Sequence, residues 1–263
     1  MLHAFPVPAF KDNYLWVIDD GVYAIAVDPG DATPMIDYLA KNALTLSAIL
    51  VTHHHADHTG GIKALLDWST PNVVPVYAPA ADPIGERTHA VGDLDCISIR
   101  QPDIALRVMS VPGHTIGHVA YYAPALRWVF CGDTLFAGGC GRMFEGTAPQ
   151  MQTSLARLAA LPPDTKVFCA HEYTLSNLKF ASAVEPNNIA LAARIERETK
   201  KRKLGKPTVP SDIALEQSTN PFLRWDVADV KRAAARAISI PGDGADLTPA
   251  QVFGALREWK NNF

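Results

Sequence analysis

No stretch of these 263 residues is apolar for long enough to cross a membrane. The first ten, MLHAFPVPAF, contain no basic segment leading into a sustained apolar one, so no export leader is read and a cytoplasmic location is expected. Cysteine is scarce and scattered: Cys96, Cys131, Cys140 and Cys169 include no C-x-x-C pair, and reduced thiols are the default. Cys131 and Cys169 lie in apolar runs and read as core packers, and Cys140 reads as structural within a glycine-rich turn. Positive charge is also lacking. A formal net charge of −3 gives no electrostatic footprint for nucleic acid, so no DNA or RNA partner is expected. Internal repeats and low-complexity linkers are absent.

What is present is ordinary globular material, 48% hydrophobic and 19% charged, long enough for a main domain with an annex. Up to about residue 172 the chain alternates short apolar runs with turns. NYLWVID and YAIAVDPG read as neighbouring strands joined by a turn, and LSAILVT, VPVYAP, CISI, IALRVMSV, HVAYYA, RWVFCGD and TKVFCAH as further strands. TPMIDYLAKN has helical spacing with Thr33 placed to cap it, TGGIKALLDW reads as one helix, and QMQTSLARLAALPPD as an amphipathic helix. Strands outnumber what a simple doubly wound sheet would show, so the α/β class is expected in the form of two sheets packed face to face with helices outside. From Tyr173 onward almost everything has helical periodicity. The expected division is 1–172 and a helical 173–263.

The chemistry is concentrated in ILVTHHHADHTGG, residues 49–61, which puts four histidines and an aspartate into six positions after an apolar run. Alternate positions of an extended loop point His53 and His55 the same way, and Asp57 and His58 follow on the turn into a helix. Imidazole and carboxylate are ligands suited to zinc and similar cations. Three other apolar runs end on the same residue types: His114 in VPGHT, Asp133 in FCGDT and His171 in FCAHEY. Strand ends are where such folds build sites. Five histidines and two aspartates exceed one tetrahedral ion and suit two. The expected division is His53, His55 and His114 on one metal and Asp57, His58 and His171 on the other, with Asp133 bridging both. A hydroxide held between the two cations would be the attacking group. His54 is expected to point away from its neighbours, His118 to be structural, and Asp28 to form a turn or to orient a ligand histidine.

These motifs, THHHADH with PGHT, CGDTLF and CAHEYT, resemble the metallo-β-lactamase superfamily. GGCGRMFEGT, HEYTLSNLKFA, NPFLR and LREWKNNF further resemble its glyoxalase II (hydroxyacylglutathione hydrolase) family, along essentially the whole chain. The resemblance implies an αββα sandwich followed by a smaller all-helical C-terminal domain. It implies a thioesterase with two divalent metal ions, zinc first and iron or manganese next. The implied reaction converts S-D-lactoylglutathione to glutathione and D-lactate, the second step of methylglyoxal detoxification. The partner is then a small-molecule glutathione thioester, with no membrane and a monomeric chain expected. Substrate contacts carried over are Arg142, Tyr173, Arg257 and Lys260, the last two sharing a helix face so that they can meet one anion. Phe144 stands where many members place Tyr, and Asn261 where an acid often follows the Lys. KKRK at 200–203 reads as a solvated helix end. The runner-up is an iron-dependent persulfide dioxygenase of the same superfamily. A β-lactamase, a tRNA-processing nuclease and a non-catalytic metal-binding relative stand further off.

Overall fold

Strand β2, Asn13–Asp19, is buried at every position, which requires cover on both faces of its sheet. In the computed structural model, which describes Met1–Phe263, β2 is part of a six-stranded sheet in chain order. The order runs from β1 (His3–Ala9) through β2, β3 (Tyr23–Val27), β4 (Thr45–Leu50) and β5 (Val76–Pro79) to β6 (His89–Val91). The first three strands pair antiparallel and the last four parallel. Parallel neighbours need crossovers. Here these contain α1 (Ala32–Lys41), then α2 (Ala56–Thr59) and α3 (Ile62–Ser69). Met35 and Leu39 of α1 and Ile62 and Leu65 of α3 pack on Leu15, Val17, Ala24, Ala26 and Ile49, one face of the sheet. Trp16, Ile18 and Ile25 on the other face are equally buried.

A second antiparallel meander follows: β7 (Cys96–Arg100), β8 (Asp103–Ser110), β9 (Val119–Ala123) and β10 (Trp128–Gly132). In β8, Ile104, Leu106 and Val108 are buried and Asp103, Ala105 and Arg107 exposed, the alternation of a sheet with one covered face. The buried Tyr121 hydroxyl donates to Val51 O (2.7 Å) and Tyr77 O (3.1 Å), tying β9 to the ends of β4 and β5. All this belongs to one compact unit, Met1–Ser110 with Thr115–Gly132.

The other unit comprises Val111–His114 and Asp133–Phe263, so the helical stretch expected from 173 onward lies wholly within it, along with 133–172. A short hairpin, β11 (Leu135–Phe136) and β12 (Gly139–Cys140), precedes α4 (Ala148–Ala159), β13 (Lys166–Cys169), α5 (Thr174–Val184) and α6 (Ile189–Lys203). β14 (Ser211–Asp212) pairs antiparallel with β13, and α7 (Ile213–Thr219), a 3₁₀ turn (Pro221–Leu223), α8 (Ala228–Ala237) and α9 (Pro249–Asn261) complete the chain. α9 packs on α4 and α8, and α5 on α6. No helix is long and apolar enough to cross a membrane.

Several elements depart from expectation. β1 carries Pro6 and Pro8, which suppress a strand reading, yet it is the sheet's edge, where a missing N–H is tolerated. The single helix expected after the histidine cluster is two, interrupted at Gly60 and Gly61. The cap of α1 is Asp31, whose carboxylate accepts from Thr33 N at 2.9 Å, so Thr33 does not cap but is the residue capped. Asp31→Ala should therefore destabilise the chain by about 1 kcal/mol while Thr33→Ala changes it by no more than a few tenths. Urea unfolding of the two variants checks this, and a larger loss at Thr33 would contradict it.

Candidate metal centre

The loop beyond β4 is anchored by a buried carboxylate. Asp28, at the end of β3 with a left-handed backbone (φ 51°), accepts from Thr52 N (2.7 Å) and Thr52 Oγ1 (2.8 Å). Its Oδ2 also lies 3.1 Å from His58 Nδ1, so one carboxylate both anchors the loop and faces the ring of a candidate ligand. Close approach is needed here. A Cβ on Gly30 would fall 1.8 Å from the carbonyl oxygen of Asp57, so only glycine lets the β3–α1 turn pass beneath the start of α2. The buried His53 places Nε2 3.0 Å from Nδ1 of His55, and Asp57 Oδ2 lies 3.7 Å from His58 Nε2. Asn13 donates to that same oxygen at 3.0 Å.

The neighbours behave as their chemistry suggests. His54 turns aside to Asp82, whose Oδ2 lies 3.0 Å from both its backbone N and its Nδ1. His118 is fully buried, stacked on His53 with ring centroids 4.6 Å apart, and its Nδ1 donates to Val119 O at 3.1 Å. It supports a ring and is not placed among the donors. His3 and His89 lie in strands remote in sequence from every motif.

In the second unit His114, Asp133 and His171 converge. His114 Nδ1 lies 2.8 Å from Arg142 O, and a carbonyl only accepts, so Nδ1 carries a proton and in the neutral ring the lone pair is on Nε2. That Nε2 lies 3.5 Å from Asp133 Oδ2, and His171 Nε2 lies 3.3 Å from the same oxygen. A Cβ on Gly141 would stand 1.9 Å from Asp133 O, so glycine is required where this hairpin passes the ligand. His171 is stacked on Tyr173 (4.7 Å, 2°) with Phe136 edge-on to both.

These donor sets fit a cation. Two ligand atoms each ~2.1 Å from a tetrahedral ion sit about 3.4 Å apart. The four pairs measured within the two units, 3.0 to 3.7 Å, bracket that spacing. All seven expected ligands stand among the chain's candidate metal-holding side chains, and histidine–aspartate clusters of this kind point to divalent metals.

The second unit also holds a cleft of about 630 Å³ whose lining includes His114 and Asp133 together with Arg142, Lys179, Arg257 and Lys260. Phe144 and Tyr173 line it too, so all five expected substrate contacts share one cleft; Lys179 and Asn177 were not expected. Arg257 differs from a solvated helix end. It is 3% exposed, donating to Cys140 O (3.1 Å) and Asn261 Oδ1 (3.1 Å), its guanidinium over the Phe222 ring. Asn261 thus accepts where an acid was anticipated. Lys260 donates to Asn177 Oδ1, and burial, reinforced by the Arg257 and Arg142 cations, lowers its pKa to about 8. Burial pushes the Cys140 thiol up, leaving it un-ionised.

Residues 172–263 match the family model described as hydroxyacylglutathione hydrolase C-terminus, and residues 11–171 match that of the metallo-β-lactamase superfamily. The hydroxyacylglutathione hydrolase of Cupriavidus metallidurans is 51% identical, with the whole of both chains covered. Among solved structures, ETHE1 from Myxococcus xanthus is 22% identical with TM-score 0.66, covering 98% of this chain and 91% of its own. TTHA1623 in a di-iron-bound form is 25% identical with TM-score 0.59, covering 83% and 100%. The chain thus has a metallo-β-lactamase fold followed by a helical C-terminal domain.

Replacing Asp28 by Asn leaves one oxygen where two are used, so Asp28→Asn should weaken metal retention by roughly 10–100-fold. Competition against a chelator, read as metal remaining per chain, measures it; retention equal to the parent would remove Asp28 from the site.

Proposed function

Because the chain belongs to the hydroxyacylglutathione hydrolase family of the metallo-β-lactamase superfamily, we propose that it hydrolyses S-D-lactoylglutathione and related S-2-hydroxyacylglutathiones to glutathione and the hydroxy acid. The observation that carries this reading is the cleft in which two candidate metal ligands share a wall with four cationic side chains. An S-2-hydroxyacylglutathione brings two carboxylates and a thioester, and such a cleft offers cations to the first and metal-site chemistry to the second.

The assignment of ligands is His53, His55 and His114 to one ion and Asp57, His58 and His171 to the other, with Asp133 shared. In its favour, His53 pairs with His55, Asp57 with His58, and Asp133 Oδ2 faces both His114 and His171. When bound, two divalent cations would lower the pKa of water and polarise the thioester carbonyl. The chain's own residues do the rest. Asp28 and Arg142 O fix two imidazoles so that the correct nitrogen faces the ions. Lys260 and Arg142 meet substrate carboxylates, with Lys179 beside them. Phe144 offers a ring without a hydroxyl, 5.3 Å from His114. A thiol leaving group has a pKa of about 8.5, so it departs as thiolate without a general acid. Nitrogen and oxygen donors suit zinc, iron or manganese, and we favour zinc. The ranges matched by the two family models meet at 171/172 and support a functional division within a residue of 172/173. We favour a monomer in the cytoplasm, where four cysteines outside any disulfide stay reduced.

The deciding experiment is hydrolysis of S-D-lactoylglutathione by purified, metal-analysed protein with and without a chelator. Turnover with about two metals per chain, lost on chelation, is the expected result. Full metal loading without turnover would sink the substrate, and oxygen uptake with glutathione persulfide would then identify the dioxygenase. Asp133→Ala should reduce turnover to background, and full activity in it would overturn the ligand scheme. Lys260 is charged below its pKa of about 8 and neutral above it, so KM for the anionic substrate should rise as pH passes through about 8. Lys260→Arg should remove the rise; a pH-independent KM in the parent would exclude Lys260 from substrate binding.

A further inference from the structure

The hairpin from Phe136 to Arg142 is held mainly by side chains from three helices. Asn177 of α5 donates to Ala137 O (3.1 Å), Asn220 at the end of α7 to Gly139 O (2.9 Å), and Arg257 of α9 to Cys140 O (3.1 Å). Gly138 N donates to Glu216 Oε2 at 2.8 Å. At its end the same segment supplies Arg142 O, the acceptor that fixes the His114 tautomer, and the Arg142 side chain, which lines the cleft.

Glu216 is the one carboxylate among these anchors and is fully buried. Its Oε2 takes Gly138 N and Asn220 Nδ2 (3.0 Å), and its Oε1 takes Arg194 Nη2 (2.5 Å) and the Ser211 hydroxyl. Arg194, itself 1% exposed, also donates to Thr219 Oγ1 at 2.6 Å. A buried ion pair is a poor source of stability, since apolar residues of like volume are often as good or better. What an apolar pair would not provide is a doubly accepting oxygen aimed at a backbone N–H of the hairpin.

We propose that Glu216, held by Arg194, is a positioning residue for the cleft. It fixes the 136–142 hairpin and through it the Arg142 side chain and the acceptor of His114. The role in substrate binding rests on the hydrolase reading above; the role in holding the hairpin does not. Cys140 reports on the hairpin directly, because its thiol is buried there beside Arg257 while Cys96 is the exposed cysteine.

The test uses full-length holoenzyme in a Cys96→Ser background. Glu216→Gln keeps the shape and removes the charge. KM for S-D-lactoylglutathione should rise about tenfold with kcat within about twofold and metal per chain unchanged. Cys140, identified by peptide mapping, should react with an aromatic disulfide at least about tenfold faster. A purely structural role would lower Tm without moving KM. Unchanged KM and unchanged Cys140 reactivity in the folded variant would overturn the proposal. If Glu216→Gln does not fold, Arg194→Met with Glu216→Leu fills the same volume and is read the same way. In the parent, the Gly138 amide should exchange as slowly as core amides, and exchange at the rate of an open loop would overturn the proposal whatever the variants do. Lack of hydrolysis by the parent would remove the substrate reading and leave the Cys140 and exchange results to decide the positioning role.

Discussion

An imidazole nitrogen this close to a carboxylate oxygen needs a proton or a cation between the two. His114, whose Nδ1 is committed to Arg142 O, meets an Asp133 oxygen in this way, and His171 approaches the same oxygen from its own side. His53 and His55 bring two ring nitrogens to 3.0 Å, where a proton or a cation is again needed between them. Much of the rest of the molecule serves this constraint. Each candidate ligand stands in a loop past a strand or in α2. Its far side is then held by a carboxylate, a carbonyl or a stacked ring, as Asp28 holds His58, His118 backs His53 and Tyr173 backs His171.

The helical residues of the second unit do two jobs with one set of contacts. α9 brings Lys260 to the cleft while Arg257, one turn earlier, ties down the hairpin that carries Arg142. Asn177 on α5 receives Lys260 and holds Ala137 in the same way. One short segment therefore carries both the Arg142 side chain that lines the cleft and the carbonyl that accepts from His114. Its glycines are there because side chains and the Asp133 backbone come too close for a Cβ.

Charge is distributed by purpose. In the cleft, cations crowd together until burial and mutual repulsion lower the pKa of Lys260. Elsewhere they are matched. Of the KKRK run, Lys200 pairs with Glu196, Lys201 with Glu198 and Arg202 with Glu172, so most of its apparent basicity is matched locally. Glu172 in turn accepts from Thr208 N and Oγ1, fastening the segment after α6 to the residue next to His171.

The amino-acid sequence by itself determined the ligand types and where along the chain they stand. Apolar runs ending in His or Asp are a local pattern, and local patterns are what strand and helix periodicity encode. The helices from 174 onward and most strands were legible for the same reason. β1 was not, because Pro6 and Pro8 read as breakers until an edge position makes their missing N–H harmless. Asn13, Asp82 and Glu216 carried no signal either. Each works on a residue 28 or more positions away: Asp57, His54 and Gly138. A lone carboxylate or amide in sequence looks the same whether solvated or buried. Arg257 shows the difference most directly. Its spacing from Lys260 put both on one helix face, but only packing decided that it would line the cleft while buried against Phe222 and the hairpin, with Lys260 bonded to Asn177. Which donors meet which acceptors is set by the desolvation of polar groups in a folded interior, and that exists only once the tertiary structure has formed.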